Sequence, residues 1–182
     1  MKHLRVLDLT DHRGSFCSRL LADLGAQVIK VEVPGGDPAR WRRAQGDPGG
    51  DVRETNPAFS YHNRNKQGVT LNLLREEGRL IFLQLVKSRH ILVETFPLGY
   101  LEGLGLGYER LAEGNPGLIQ TTLSDSGNSG PNRFYKSSDL VASAIGGHMA
   151  VTGKPGGTPL RAVALQILRL EFPEKSGGTG RG

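Results

Sequence analysis

An aspartate, Asp139, stands where a polar loop meets an apolar run: residues 124–138 read SDSGNSGPNRFYKSS, and Leu140, Val141 and Ala142 follow. A carboxylate there can cap a helix, satisfying backbone N–H groups for about 1 kcal/mol. It can equally be a functional carboxylate held at a helix terminus beside a glycine-containing loop, and the two roles are compatible. Basic side chains gather at expected strand ends. Arg40, Arg42 and Arg43 follow a Gly35-Gly36 turn, and Arg64 and Lys66 precede a strand-like run. Arginine's planar fork suits phosphate oxygens, though a solvated surface accounts for the same residues. The single cysteine, Cys17, lies on a helical run with no partner base in view, which predicts a buried structural thiol.

Several chemistries lack their signatures. The segment after the first strand, Thr10-Asp11-His12-Arg13-Gly14-Ser15, holds one glycine, so the dinucleotide fingerprint G-x-G-x-x-G is missing. Neither a P-loop nor a G-x-S-x-G elbow occurs. His3, His12, His62, His90 and His148 are scattered, and one cysteine cannot build a multi-cysteine site, so no metal is expected.

The elements that must position these residues follow from periodicity. Residues 4–9 (LRVLDL) read as a buried strand, and residues 16–24 as a helix with Phe16, Leu20, Leu21 and Leu24 on one face and Gly25 closing it. Residues 26–32 form a second strand, completing a strand–helix–strand unit whose strands must be parallel. A turn at residues 34–38 and a polar excursion over 39–57, anchored by Trp41, precede the short segment 59–66. Strands are expected over 69–73, 90–94 and 118–123, and helices over 76–88, 108–112 and 139–151. Residues 165–172 fit a helix or a strand, and 175–182 read as disordered. The alternation predicts a doubly wound α/β sheet with ligands beyond the C-terminal strand ends.

At 182 residues, 37% apolar and 23% charged, the chain can bury a core. A net charge of +5 suits anionic metabolites and, with no recognition motif, points away from nucleic acid. No apolar run reaches membrane-spanning length and no secretory signal opens the chain, so a cytoplasmic protein without membrane contact is expected.

Seven segments occur in the order of one family. LRVLDLT and FCSRLLADLGAQVIKVEVPGGDPAR come first, then Asn63-Arg64-Asn65-Lys66 with VTLNL, then VETF with GYLEGLGLGYERL. NPGLI, Ser129-Gly130-Pro131, and SSDLVASAIGGHMAVTG with TPLRA complete the set, over roughly residues 4–162. The chain resembles the N-terminal part of the class III CoA-transferases, the superfamily that includes formyl-CoA and carnitine CoA-transferases and α-methylacyl-CoA racemases.

That resemblance implies a Rossmann-like large domain, here incomplete over residues 1–162, with a divergent, flexible tail at 163–182. It implies dimers of interlocked subunits, or a complementary chain in this case. The substrates would be an acyl-CoA thioester and a carboxylic acid, with no permanently bound cofactor. Asp139 falls at the family's nucleophile position. Arg40 would lie near the CoA adenine and phosphates, Lys66 with Arg64 beside it would pair with a phosphate, Thr95 and Phe96 would line the pantetheine path, and Gly14 and Ser15 would lie close to the thioester.

The chain departs from the family pattern in three places. His12-Arg13-Gly14-Ser15 replaces L-A-G-P, Thr95-Phe96-Pro97-Leu98-Gly99 replaces N-F-R-P-G, and Ser137-Ser138 precede Asp139 where an aromatic is usual. The racemase branch typically has G-H-D at this point. Ser138 takes that histidine's place and residues 124–136 contain none, which makes the isomerase the lesser alternative. Family members run to about twice this length, so a truncated or split member is expected, with a non-catalytic CoA-binding or assembly fragment as the other alternative.

Overall fold

The computed structural model describes residues 1–41, 56–136, 138–154, 156–160 and 169–171. The basic excursion that includes Arg42 and Arg43, residue 137, and most of the segment after 160 lie outside the described residues.

Four apolar runs form strands as their patterns require, whereas the strand expected over 69–73 forms two residues earlier, over the exposed Gln67–Thr70, where the strand Gln27–Glu32 supplies its pairing. The strands are β1 (Arg5–Leu9), β2 (Gln27–Glu32), β3 (Gln67–Thr70), β4 (Ile91–Glu94) and β5 (Ile119–Ser124), with a short β6 (Arg169–Glu171). The sheet order is β3-β2-β1-β4-β5-β6. The first five strands are parallel, and β6 pairs antiparallel with β5 through Leu123 and Leu170. Of the two alternatives for residues 165–172, the described part is therefore strand.

Helices α1 (Ser15–Asp23), α2 (Pro57–His62), α3 (Glu76–Val86), α4 (Tyr100–Gly103), α5 (Tyr108–Gly114) and α6 (Asp139–Ile145) connect the strands. A 3-10 turn occupies Pro38–Trp41. The chain leaves β1 through α1 to one side and returns beside β1 as β4 on the other. The boundary between β1 and β4 is therefore the topological switch point, where α/β sheets open a crevice at the carboxyl ends of their strands.

Alternation along β1 sends Leu7 and Leu9 to one face and Val6 and Asp8 to the other. The first face packs on Phe82, Val86, Leu92, Leu101, Leu106 and Leu111, and the second on Ala22, Ala26, Val28, Val93 and Leu123. Helix α1 ends as expected. Gly25 takes φ +92, and the Gly25 and Ala26 N–H groups donate back to Ala22 and Leu21 carbonyls at 2.9 Å each, the paired closure that a left-handed glycine allows.

Its buried face is not the expected one. Phe16, Leu20 and Leu24 are exposed, while Ser15, Ser18 and Ala22 are buried against the sheet. The reason lies beneath the helix: Asp8 needs hydroxyl donors and room, which leucines would deny it. Helix α3 likewise buries Gly78, Phe82 and Val86 and leaves Leu80 and Ile81 exposed.

Gly78 is required by a close approach. A Cβ there would stand 1.9 Å from the Asn72 carbonyl oxygen, inside the backbone of the β3–α3 turn. Gly78→Ala is expected to lower unfolding free energy by about 1–3 kcal/mol or more, as overpacking does. Urea denaturation would show this as a lower midpoint at unchanged slope.

Candidate functional site

At the switch point the β1–α1 turn and the end of β4 touch. The Asp11 N–H donates to Thr95 Oγ1 at 2.8 Å. A Cβ on Gly14 would lie 2.7 Å from Thr95 Cγ2 and 2.8 Å from Thr10 Cγ2, so only glycine lets the turn close on β4. Ser15 follows at the first turn of α1. It is 2% exposed, and its Oγ has no partner among the described residues. Gly14 and Thr95, which the family resemblance puts near the thioester and the pantetheine, are thus brought together at the crevice position of the switch point, with Ser15 buried next to Gly14 in the chain.

Arg13 spans that crevice. It donates to both Asp11 carboxylate oxygens, to the Thr95 carbonyl at 2.9 Å, and to Asp125 Oδ2 at 3.1 Å. Burial alone would raise the Asp11 pKa, but hydrogen bonds from Arg13 and its charge hold it below the usual carboxylate value.

Beneath α1 lies a buried ionic layer. Asp8 is fully buried and accepts from the Thr10 N–H and hydroxyl, from Ser18 Oγ at 2.6 Å, and from Lys66 Nζ at 2.7 Å. Lys66 also donates to the Ser15 carbonyl at 2.8 Å and to Asn63 Oδ1 at 2.9 Å. Its three ammonium donors therefore meet three protein acceptors, and its side chain is 1% exposed. A phosphate would have to displace one of these acceptors to reach it. Lys30 donates to the Thr10 carbonyl and pairs with Asp37, both at 2.7 Å. Burial pushes Asp8 up, but the charges of Lys30 and Lys66 and the hydrogen bonds of Lys66 and Ser18 outweigh it, and its pKa falls below the usual range.

Arg40 leaves the Gly-Gly turn and forks onto Glu32, Nε to Oε2 and NH2 to Oε1 at 2.7 Å each, with its guanidinium 4.0 Å over the Phe59 ring. Gly36, at φ +91, makes room for it: a Cβ there would sit 2.9 Å from Arg40 Cδ. Arg64 is exposed. The expected basic cluster is thereby divided, with Lys66 facing inward, Arg40 paired at the end of β2, and Arg64 outside.

Past β4, Phe96 stacks on Tyr100 with ring centroids 4.6 Å apart. Its N–H donates to Glu94 Oε2 at 2.6 Å, and Thr122 Oγ1 bonds Oε1 of the same carboxyl. Glu94, 4% exposed, lines a small cavity with Gln120, Thr122 and Leu101. Burial pushes its pKa up, against the hydrogen bonds of Thr122, Phe96 and Gln120. A carboxyl whose folded pKa is raised binds its proton more tightly when folded, so its stability contribution is full below the unfolded value and is lost as pH rises through the folded one. Glu94→Gln should therefore flatten this loss, and its stability relative to the parent should rise with pH in thermal melts.

The loop after β5 leads to α6. Ser138, rather than Asp139, is the N-cap, accepting from the Val141 N–H at 3.4 Å, and Asp139 is the first helical residue. The expected cap is displaced by one residue because Ser138 has the extended backbone that a cap requires (φ −139, ψ 168). The helix stops at Ile145, before Gly146-Gly147, well short of 151. Cys17 is half-buried, and burial followed by the charge of Asp8 pushes its thiol pKa up, as an unreactive cysteine requires.

Asp8, Lys30, Arg13 and Glu94 were not singled out from the sequence. The signal for three of them is a charge at an inward position of an apolar strand: Asp8 in RVLDL, Lys30 in QVIKVE and Glu94 in ILVE. Arg13 carries no such signal, since two of its three partners are 82 and 112 residues away. Among the described residues no helix is long and apolar enough to cross a membrane.

Comparison with known proteins agrees with this architecture. The chain is 41% identical over 170 residues to succinyl-CoA:(R)-benzylsuccinate CoA-transferase subunit BbsE of Thauera aromatica, covering 91% of this chain and 40% of that protein. It is 41% identical over 169 residues to acetyl-CoA:oxalate CoA-transferase of Acetobacter aceti, covering 92% and 42%. It therefore spans well under half the length of these curated relatives. Among solved structures, a CAIB/BAIF family protein from Brucella suis superposes with a TM-score of 0.79 at 35% identity, covering 90% of this chain and 43% of that one. Residues 1–167 match CoA-transferase family III, and the chain belongs to that family.

Proposed function

We propose that this chain carries the nucleophile-bearing part of a CoA-transfer site, with Asp139 moving CoA from an acyl-CoA donor to a carboxylic acid acceptor. The observation that most supports this reading is the close approach of Gly14 and Thr95 at the switch point, with Arg13 joining Thr95 to the loop that leads to Asp139. The relatives' names pair a CoA thioester with a second acid, which supports the substrate class, with CoA entering as substrate and not as a resident cofactor.

The Asp139 carboxylate attacks the thioester carbonyl, the C–S bond breaks, and CoA thiolate leaves a mixed anhydride. The thiolate then attacks the aspartyl carbonyl and expels the donor acid as carboxylate, leaving an aspartyl-CoA thioester. The acceptor carboxylate reverses both steps. No general base is needed, because a carboxylate is ionised at neutral pH and no proton moves. Its weakness as a nucleophile is offset by orientation and by donors to the developing oxyanion.

In this reading Arg40 and Arg64 serve CoA phosphates, Phe96 the pantetheine, and Lys66 acts through Asp8 on the β1–α1 turn. A homodimer or a complementary chain completes the unit, and the relative named as a subunit supports the latter. The test is intact mass spectrometry of the chain after mixing with succinyl-CoA. A covalent adduct of CoA or acyl mass is expected, absent in Asp139→Ala. A folded chain that binds CoA without an adduct would instead support the non-catalytic reading.

A further inference from the structure

We infer that Arg13 is a positioning residue: it locks the root of the loop leading to Asp139 onto the carboxyl ends of β1 and β4. The inference rests on the proposed role of Asp139 for its catalytic meaning, but its structural claim stands on the geometry of Arg13. One guanidinium reaches three segments far apart in sequence. Nε bonds Asp11 Oδ1 and Oδ2 at 3.1 and 2.9 Å in the β1–α1 turn, NH2 bonds the Thr95 carbonyl at 2.9 Å past β4, and NH1 bonds Asp125 Oδ2 at 3.1 Å just past β5. The Asp11 N–H closes the ring onto Thr95 Oγ1 at 2.8 Å.

An isolated exposed pair would be worth little. This one is different in kind, because a planar fork meets three acceptors at once, and both Arg13 and Asp125 are mostly covered, with side chains 34% and 24% exposed. The arginine pKa rises, with hydrogen bonds and charge from Asp11 and Asp125 outweighing burial. Asp125 is the residue immediately after β5 and opens the loop that leads to α6; within that loop the Tyr135 N–H donates to the Asn132 carbonyl and the Arg133 guanidinium to the Gly130 carbonyl, both contacts local to the loop. Releasing Asp125 therefore frees the loop at its root. A lysine ammonium lacks the breadth of the planar fork whose separate nitrogens reach Asp11, Thr95 and Asp125 here, so Arg13→Lys keeps only part of the bridge.

The test is backbone 15N relaxation on the full chain for the parent, Arg13→Gln, Arg13→Lys and Asp125→Asn. In the parent, amide order parameters over residues 126–136 are expected near about 0.85, falling below about 0.6 in Arg13→Gln and Asp125→Asn while β1, β4 and β5 stay rigid. Arg13→Lys should fall between. A fifth protein, the Arg13→Gln/Asp125→Asn double variant, should loosen the loop no further than either single one. A parent loop already below about 0.6, an unchanged loop in both single variants, or equal loosening of loop and strands would each overturn the inference. In parallel, the Asp139 adduct with succinyl-CoA is timed in the same four proteins. Slower adduct formation in Arg13→Gln, with the parent competent, is expected. If the parent forms no adduct, the role of Asp139 fails while the relaxation data still decide Arg13.

Discussion

Lys66→Ala is expected to destabilise the chain by about 3–5 kcal/mol, because it strands a fully buried carboxylate. Asp8 is 0% exposed and Lys66 1%. Removing the ammonium leaves Asp8 with its hydroxyl and amide donors and the more distant charge of Lys30. It also unties the Ser15 carbonyl and Asn63, so the first turn of α1 loosens from the segment before β3. The pH dependence identifies the cause. In the parent the depressed pKa of Asp8 contributes stability above its unfolded value, and this is lost as pH falls through the folded one. Without Lys66 the carboxyl protonates more readily, so the difference between parent and variant should shrink on acidification. A constant difference across pH would mean that lost packing, not stranded charge, sets the cost. Urea denaturation of both proteins from neutral to acidic pH measures it.

β1, β2, β4 and β5 were legible because each carries a short, mostly apolar stretch bounded by turn residues, whereas β3, QGVT, is exposed and lies two residues before the expected run. The alternation of strands with helices predicted ligands beyond the carboxyl strand ends, but the switch point between β1 and β4 required the strand order. The helix faces were not legible, and α1 shows why. Amphipathic reasoning assumes that the apolar stripe meets the core, yet Ser18 faces the sheet to donate to Asp8, and Ser15 is buried on the same side. That requirement is set by β1 and by Lys66, which is 58 residues from Asp8. Lys66 read as a phosphate ligand for the same reason: a basic residue before a strand is indistinguishable from a buried one until its acceptors are known. Gly14 and Thr95 were legible only through the family's motifs, because their contact joins segments far apart in the chain. Asp139 was found at a helix start, but the choice between it and Ser138 as cap depended on a single extended backbone conformation.

The second large effect concerns Asp139. Asp139→Asn keeps size and helix placement but removes the ionised oxygen, and it should abolish covalent adduct formation with succinyl-CoA while leaving the thermal midpoint within a few degrees of the parent. A neutral amide cannot displace a thiolate to give an anhydride.

The most direct measurement of the central claim is the location of the adduct. The chain is mixed with succinyl-CoA, quenched with hydroxylamine, digested, and mapped by peptide mass spectrometry. An aspartyl thioester is converted to a hydroxamate that stays on the side chain. That modification is expected on Asp139 and nowhere else, and is expected to be lost in Asp139→Asn. Hydroxamate on another carboxylate, such as Glu94 or Asp125, or an adduct that persists in Asp139→Asn, would contradict that claim.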